Sequence, residues 1–377
     1  MSALSEARVA VVGGSYAGLC AGLALRCAGV DVHVYERTPD HNRIGGGIVV
    51  QPDFADYLEA FGYARPETVA IPTVGRKILD RDGSVARYAK DATFFTAWDT
   101  VLRSLQRAFD ADRLHNDKSL DTIRITGDGV TLSFTDGGRV EADMLLGADG
   151  IGSRVRRHLA PEIAPAYAGY VGYRGILPES ELSSDQISLF HDHFVMYAYP
   201  NSHILSYFIP GERGEREQGA RRFNWVWYVS QTPEELRSIL TDRHGVHHHA
   251  SLGHGQMADE WVESLKHRAT ELLPPLVADV VDRTHEPFVQ AIFDLQVPKM
   301  VYGRAALLGD AAFLVRPHTA SGASKAAADA VALAHTLREA GRLSTEALEQ
   351  WEADRMAATQ LIINHGKLIA ARGGLGR

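Results

Sequence analysis

The stretch RVAVVGGSYAGLCAGLALRCAGVDVHVYE, residues 8–36, decides the fold. Arg8 to Val12 is a short β-branched run without turn residues, the composition of a buried parallel strand. Gly13-Gly14-Ser15-Tyr16-Ala17-Gly18 follows, and Leu19 to Ala28, rich in Ala, Leu and Cys, reads as a helix that stops at Gly29. Asp31 to Tyr35 is a second strand, ending on Glu36. This order is the first βαβ unit of a dinucleotide-binding fold. Gly13 permits the tight turn, Gly18 lets the helix pack closely on the strand, and the free N–H groups of the helix start face a pyrophosphate. Glu36 lies 18 residues past Gly18, where an acid accepts hydrogen bonds from a ribose hydroxyl. Ser15 replaces the middle glycine of G-x-G-x-x-G, and the spare glycine is Gly14. The expected nucleotide contacts are Gly13, Gly14, Ser15, Tyr16, Ala17, Gly18, Glu36 and Arg37; this segment does not separate NAD from FAD.

The remaining chain is long enough for a second unit: 377 residues, against about 150 for a typical domain. Apolar residues at 45% and charged residues at 23% exclude a disordered or fibrous chain. The formal charge of −8 argues against nucleic acid and anionic membranes as partners. No apolar run reaches the ~18 residues of a membrane span, and the N-terminus lacks a basic-then-apolar signal, so a cytoplasmic protein is expected. Cys20 and Cys27 lie seven residues apart in one helix. That is roughly 10 Å, beyond the ~7 Å limit for a disulfide, so both read as packing thiols.

Two further strand–turn units carry acids. Val130 to Phe134, the turn Thr135-Asp136-Gly137-Gly138 and Arg139 to Ala142 form a hairpin. An apolar strand then runs into Gly147-Ala148-Asp149-Gly150 and a helix start bearing Ser153 and Arg156. Gly303 to Ala312 repeats the pattern, with Gly309-Asp310-Ala311-Ala312 as the turn. Gly45-Gly46-Gly47-Ile48, after a polar loop containing Arg43, reads either as a flexible connector or as a loop whose backbone closes over a cofactor at Gly46, Gly47 and Ile48.

Together these motifs resemble the flavoprotein aromatic hydroxylases, the single-component FAD monooxygenases. The resemblance implies an α/β chain: a Rossmann-like FAD-binding domain (1–69, 96–166 and 290–377), an inserted mixed β-sheet substrate domain (70–95 and 167–289) and C-terminal helices. It implies that Asp149, Gly150, Asp310, Gly322 and Ala323 join the FAD contacts, Asp310 on the ribityl chain. Phe313 stands where the family usually has His, and Arg316 replaces the first of two prolines, while Pro317 is retained. The Arg316-Pro317-His318 form, with Gly45 to Pro52, Ala168-Gly169-Tyr170, Tyr173-Arg174-Gly175 and Pro210-Gly211, most resembles the branch containing the 2,6-dihydroxypyridine 3-hydroxylases. Trp98 occupies the position of an Arg that opens an R-x-x-L helix in many relatives. No second G-x-G-x-x-G lies between a strand and a helix, so NAD(P)H is expected to bind transiently as reductant.

The expected reaction uses O2 and a flavin C4a-hydroperoxide to hydroxylate a small aromatic or N-heteroaromatic ring. A base that stabilises the deprotonated ring is useful, and His suits that near neutral pH. His318 is the first candidate, beside Pro317, with Tyr173, Arg174, Tyr199 and His203 next. Alternation along a strand turns half of such residues outward. Glu212 to Arg222 reads as an exposed loop, and Arg372 to Arg377 as a frayed end. His244, His247, His248, His249 and His254 read as a solvated loop rather than a metal site. Trp225-Val-Trp227 is similar to a flavin-halogenase signature but lacks its Ile-Pro, and reads as an alternating core strand. A dehydrogenase or halogenase on the same scaffold, or a flavin-containing aromatic-ligand binder without turnover, remain alternatives; a homodimer is also open.

Overall fold

The computed structural model describes residues 4–38, 45–61 and 65–376, which leaves Arg43 and its polar loop outside the described residues. A six-stranded sheet carries the first βαβ unit. Its order is Val301–Tyr302, Ala305–Leu307, Met144–Gly147, Arg8–Val12, Asp31–Tyr35 and Leu114–His115. The last five are parallel, and Val301–Tyr302 is an antiparallel edge. The three central strands, Arg8–Val12, Met144–Gly147 and Ala305–Leu307, are near-continuous apolar runs buried on both faces, as a covered parallel sheet requires. The helix Tyr16–Cys27 covers one face and packs against the long helix Gly322–Ala340. Both helices bury small residues, among them Ala21 and Ala24 on one and Ala326, Ala327 and Ala330 on the other, which suits close packing. Cys20 is buried and Cys27 exposed, both free.

A second, larger sheet is mixed. From one edge it runs Ser251–Leu252, Phe288–Gln296, Ala166–Pro178, Arg222–Ser230, Ser202–Ile209, His193–Tyr199, Gly75–Leu79 and Val85–Ala89, with Phe313–Leu314 paired onto Phe288–Gln296. Only the pair Gly75–Leu79 with His193–Tyr199 is parallel. Gly47–Val50, Thr93–Ala97 and Ile71–Thr73 make a small sheet between the two. The strand Phe288–Gln296 runs across the boundary expected at 289/290.

Alternation gives the large sheet two different faces. The outer one, with Val171, Tyr173, Phe223, Trp225, Trp227 and Val229, builds a separate core under the helices Pro233–Ile239, Asp259–Leu272 and Pro275–Arg283. The inner one, with Tyr170, Val226, Tyr228 and Tyr207, forms two small clusters turned toward the first unit.

A charged clasp joins the units. Arg222 donates to both carboxylate oxygens of buried Asp99, at 3.3 and 3.1 Å, tying the helix Trp98–Ala108 to the sheet. Within the large-sheet unit, Arg221 makes a paired contact with buried Glu179. Both arginines are therefore buried at the strand entry, which corrects the expectation that the charged stretch up to Arg222 is wholly exposed. The C-terminal stretch is also anchored. Leu375 is buried among Ala168, Tyr170, Val226, Tyr228 and Ile292, so the expected frayed end is ordered through Leu375, whose apolar side chain gains by leaving water. Among the described residues no helix is long and apolar enough to cross a membrane.

Candidate active site

Three turns far apart in sequence meet at the carboxyl ends of the parallel strands. Gly13, at φ +112°, follows Arg8–Val12, and a side chain there would run into the backbone of Ala148 and Asp149. Gly309, at φ +60°, follows Ala305–Leu307 and lies against Ala17. Only glycine combines a left-handed backbone with such close approach. Buried Arg156 binds the third side, donating from Nη1 to the Ala311 carbonyl at 3.1 Å and from Nη2 to the Ile151 carbonyl. Sequence reading named Arg156 within its motif but gave it no role; here it holds the Asp149 and Asp310 turns together.

The groups that face outward from this junction are of two kinds. Ser15 caps the helix Tyr16–Cys27 without a side-chain cap bond, so the first-turn N–H groups and the positive helix end are available to an anion. Glu36 accepts from the Gly14 amide at 2.7 Å and the Thr38 amide at 2.9 Å. A carboxylate has about four acceptor sites, which leaves capacity for ribose hydroxyls. Asp310 is exposed to open space yet enclosed by protein; that enclosure pushes its carboxyl up, against the opposing pull of Lys325. It has no hydrogen-bond partner among the described residues, so it offers a free acceptor. Gly150 and Gly322 have open space where a side chain would stand, the room a close-lying ligand needs. Donors for a pyrophosphate beside free acceptors for sugar and ribityl hydroxyls fit FAD.

Other expected contacts are placed differently. The Asp149 carboxylate turns back to accept from the Ser153 hydroxyl and from the amides of Arg154 (2.6 Å) and Val155 (3.2 Å), so it caps the helix Arg154–Leu159. Tyr16 is buried; its ring stacks on Trp98 at 5.9 Å and its hydroxyl donates to the Trp98 carbonyl, leaving only its backbone for a cofactor. Arg37 is exposed. Ala323 lies in the first turn of the helix Gly322–Ala340.

The triple-glycine loop joins this junction to the inner sheet face. Side chains at Gly45, Gly46 and Gly47 would run into Trp98, Arg174 and the Tyr207–Asn224 pair, respectively. The Gly47 amide donates to Asn224 Oδ1 at 2.8 Å and the Trp98 amide donates to the Gly46 carbonyl at 3.1 Å. Ile48 continues into the strand Gly47–Val50. Trp98 thus braces the loop from one side and Arg174 from the other.

On the inner face the register aligns His203 with Tyr228 and Gly172, and Tyr207 with Asn224 and Ile176. His318, from the short turn Pro317–Thr319, enters this group. Its Nε2 lies 2.8 Å from the Tyr170 hydroxyl, and its ring centre is 4.8 Å from Tyr228, 5.2 Å from His203 and 5.4 Å from Tyr170. The turn closes on Ala320 in the left-handed region, a strained position for a residue with a side chain. The Arg174 guanidinium lies near Tyr228 and opposes the burial that pushes that phenol up, while Arg174 Nε, like Asn224 Nδ2, is buried without a partner among the described residues.

Three sequence expectations need correction. Tyr199 and Tyr173 point to the outer face, where Tyr199 rests against Tyr197 and Tyr173 contacts the Gln231 amide, so the pleat separates both from His318. His318 is no near-neutral base: burial, then neighbouring His203 and the Arg316 charge, push it down to about 3, and burial pushes His203 down to about 4. Both are neutral imidazoles at pH 7. Finally, His254 leaves the exposed histidine loop and packs on Phe288 at 4.2 Å. Sequence reading missed Tyr228 and Asn224 and gave Tyr170 no role. The signal was present: Trp225 and Trp227 on a core face oblige residues 224, 226 and 228 to face the other way.

A family model described as FAD binding domain-like matches residues 167–294. The chain is 35% identical over 371 residues to the 2,6-dihydroxypyridine 3-monooxygenase of Paenarthrobacter nicotinovorans, covering 97% of this chain and 91% of that protein. It is 29% identical over 367 residues to the 6-hydroxynicotinate 3-monooxygenase of Pseudomonas fluorescens, covering 92% and 87%. The solved structure of 2,6-dihydroxypyridine-3-hydroxylase from Arthrobacter nicotinovorans matches at TM-score 0.91 and 34% identity, over 98% of this chain and 93% of its own.

Proposed function

Because the chain belongs to the flavoprotein aromatic hydroxylases and is an FAD-dependent monooxygenase, we propose that it uses NAD(P)H and O2 to hydroxylate a small hydroxylated N-heteroaromatic ring, a hydroxypyridine, held against the inner face of the large sheet. The observation that carries this reading is the composition around that face: stacked aromatic rings, two neutral histidines and the Arg174 guanidinium brought against the cofactor loop at Gly46. Residues 1–69, 96–166 and 290–377 form the FAD-binding part in this reading, and 70–95 with 167–289 the substrate part.

Bound FAD, reduced by NAD(P)H, supplies the activated oxygen. The protein holds and tunes the ring. Hydroxylation needs an electron-rich ring, so the site must favour the ionised form of a ring hydroxyl. Arg174 provides the positive charge for that oxygen. Tyr170, whose phenol burial pushes well above its usual range, stays protonated and donates to His318 Nε2. That leaves the Nδ1–H of His318 to donate to the substrate, so His318 binds and orients the ring rather than removing its proton. Pro317 starts the turn that presents it. The halogenase reading loses its support, because Trp225 and Trp227 lie in the outer core.

The test is a screen of hydroxypyridines, phenols and purines with FAD-loaded protein, recording NAD(P)H oxidation and product mass. A hydroxypyridine should stimulate oxidation and gain one oxygen atom. Protein that stays yellow, binds ligand and never oxidises NAD(P)H would instead be a ligand binder.

A further inference from the structure

The departure at Arg316, where the family pattern has proline, occupies a defined place. Its Nε and Nη2 donate to the two carboxylate oxygens of Asp294 at 3.0 and 2.8 Å, a bidentate grip that fixes the guanidinium in plane and direction. The same guanidinium lies 5.7 Å from the centre of the Tyr170 ring, within cation–π range. The Tyr170 hydroxyl is the group that meets His318 Nε2 at 2.8 Å. One glycine makes room for the arginine: a side chain at Gly366 would crowd Thr319 and the Arg316 Cβ.

We propose that Arg316, gripped by Asp294, is a positioning residue that fixes Tyr170 and, through it, the orientation and protonation of His318. Arg316 does not touch the substrate in this arrangement; it acts on the ring that does, two contacts away. This rests on the reading of the inner face as the hydroxylation site.

The charged and titratable groups around His318 are few. Tyr170 faces it from the strand Ala166–Pro178, Tyr228 from Arg222–Ser230 and His203 from Ser202–Ile209. Arg316 comes from its own turn, and Asp294 from Phe288–Gln296 behind it. The helix Thr345–Arg372 meets this turn with Gly366, and its Lys367 lines the adjoining surface cleft with Asp294. Among the described residues Arg316 is therefore the full positive charge acting on His318, and it opposes imidazolium formation there.

The experiment compares wild type, Arg316→Met, Arg316→Lys and Asp294→Asn, all FAD-loaded, with 2,6-dihydroxypyridine as probe. Substrate binding is followed by the flavin absorbance change from pH 4 to 9, a range over which His318 stays neutral in the wild type, alongside KM and kcat. Arg316→Met should raise KM about tenfold, leave kcat within about twofold, keep its FAD, and move the acid limit of binding to higher pH as His318 protonates more readily. Arg316→Lys should return the acid limit toward wild type while KM stays raised, since an ammonium restores charge but not the fork. Asp294→Asn, which keeps the side-chain shape, should reproduce a weaker form of the KM effect. Unchanged KM and acid limit in Arg316→Met would overturn the proposal. So would loss of FAD and thermal stability in both Arg316→Met and Asp294→Asn, which would assign the pair to the fold alone. A wild type that neither binds nor turns over the probe would instead overturn the reading of the site.

Discussion

The two faces of the large sheet are built from the same strands and behave in opposite ways. On the outer face the polar groups of the buried aromatic residues Trp225, Trp227 and Tyr173 are engaged within the protein. Trp225 Nε1 donates to the Thr284 hydroxyl at 3.0 Å, Trp227 Nε1 to the Ser202 hydroxyl at 2.9 Å, and Tyr173 meets Gln231. On the inner face, one residue along, Arg174 Nε, Asn224 Nδ2 and the Ser230 hydroxyl are buried and unpartnered. Buried polar atoms left unpaired cost about 1–3 kcal/mol each, so a fold that satisfies one face and not the other reserves the second for a ligand. The alternation of a strand turns one run of sequence into a core and a site at once.

This contrast can be broken by substitution. The largest effect belongs to the outer face: Trp227→Ala should cost about 3–5 kcal/mol of stability, seen in denaturant unfolding, with substrate affinity of the folded fraction unchanged. An inner-face response, weaker substrate binding with full stability, would erase the distinction.

Acid should act through the inner face. His203 and His318 are neutral and buried, with values near 4 and 3 against about 6.5 in the unfolded chain. The unfolded state therefore takes up protons first as pH falls below about 6.5, and stability is lost from there down to about pH 4. For His203 alone this amounts to on the order of 3 kcal/mol. Unfolding measured at pH 7 and pH 4.5 should show the loss in wild type and a smaller one in His203→Gln. Equal losses in both would place the acid sensitivity elsewhere.

Asp310→Ala should weaken FAD binding by about 2 kcal/mol, roughly thirtyfold, because a free carboxylate acceptor is removed. Its stability should hold or rise, since the wild-type carboxyl is enclosed and unpaired. Tight FAD retained by this variant would count against the junction of the three turns. The smallest effect is Tyr170→Phe, which keeps the ring and loses the hydrogen bond to His318. About 1 kcal/mol, or fivefold in KM, is expected, with FAD content intact.

The cofactor half of this design was legible in the sequence because its signals are local. Gly13, Gly150 and Gly309 each stand at a positive φ after an apolar strand, and a strand–turn–helix order is readable over about thirty residues. What it could not show was the use of each acid: Asp149 looks like Asp310 in sequence, yet one caps a helix and the other stays free. The substrate half depends on parity. Tyr199 and His203 are four residues apart, and the turn between them, with Asn201 at φ +63°, sets which face each takes. Nothing local fixes that register. Arg316 and Leu375 were hidden for another reason: their roles come from Asp294 and from the Tyr170–Tyr228 cluster, neither of which is a neighbour in sequence.

The most direct measurement of the central claim is isotopic. FAD-loaded protein, NADH and 2,6-dihydroxypyridine are incubated under 18O2, with product mass and NADH consumption recorded together. One 18O atom in the product for each NADH oxidised is the predicted result. NADH oxidation that yields only hydrogen peroxide, or a product whose added oxygen comes from water, would contradict the account.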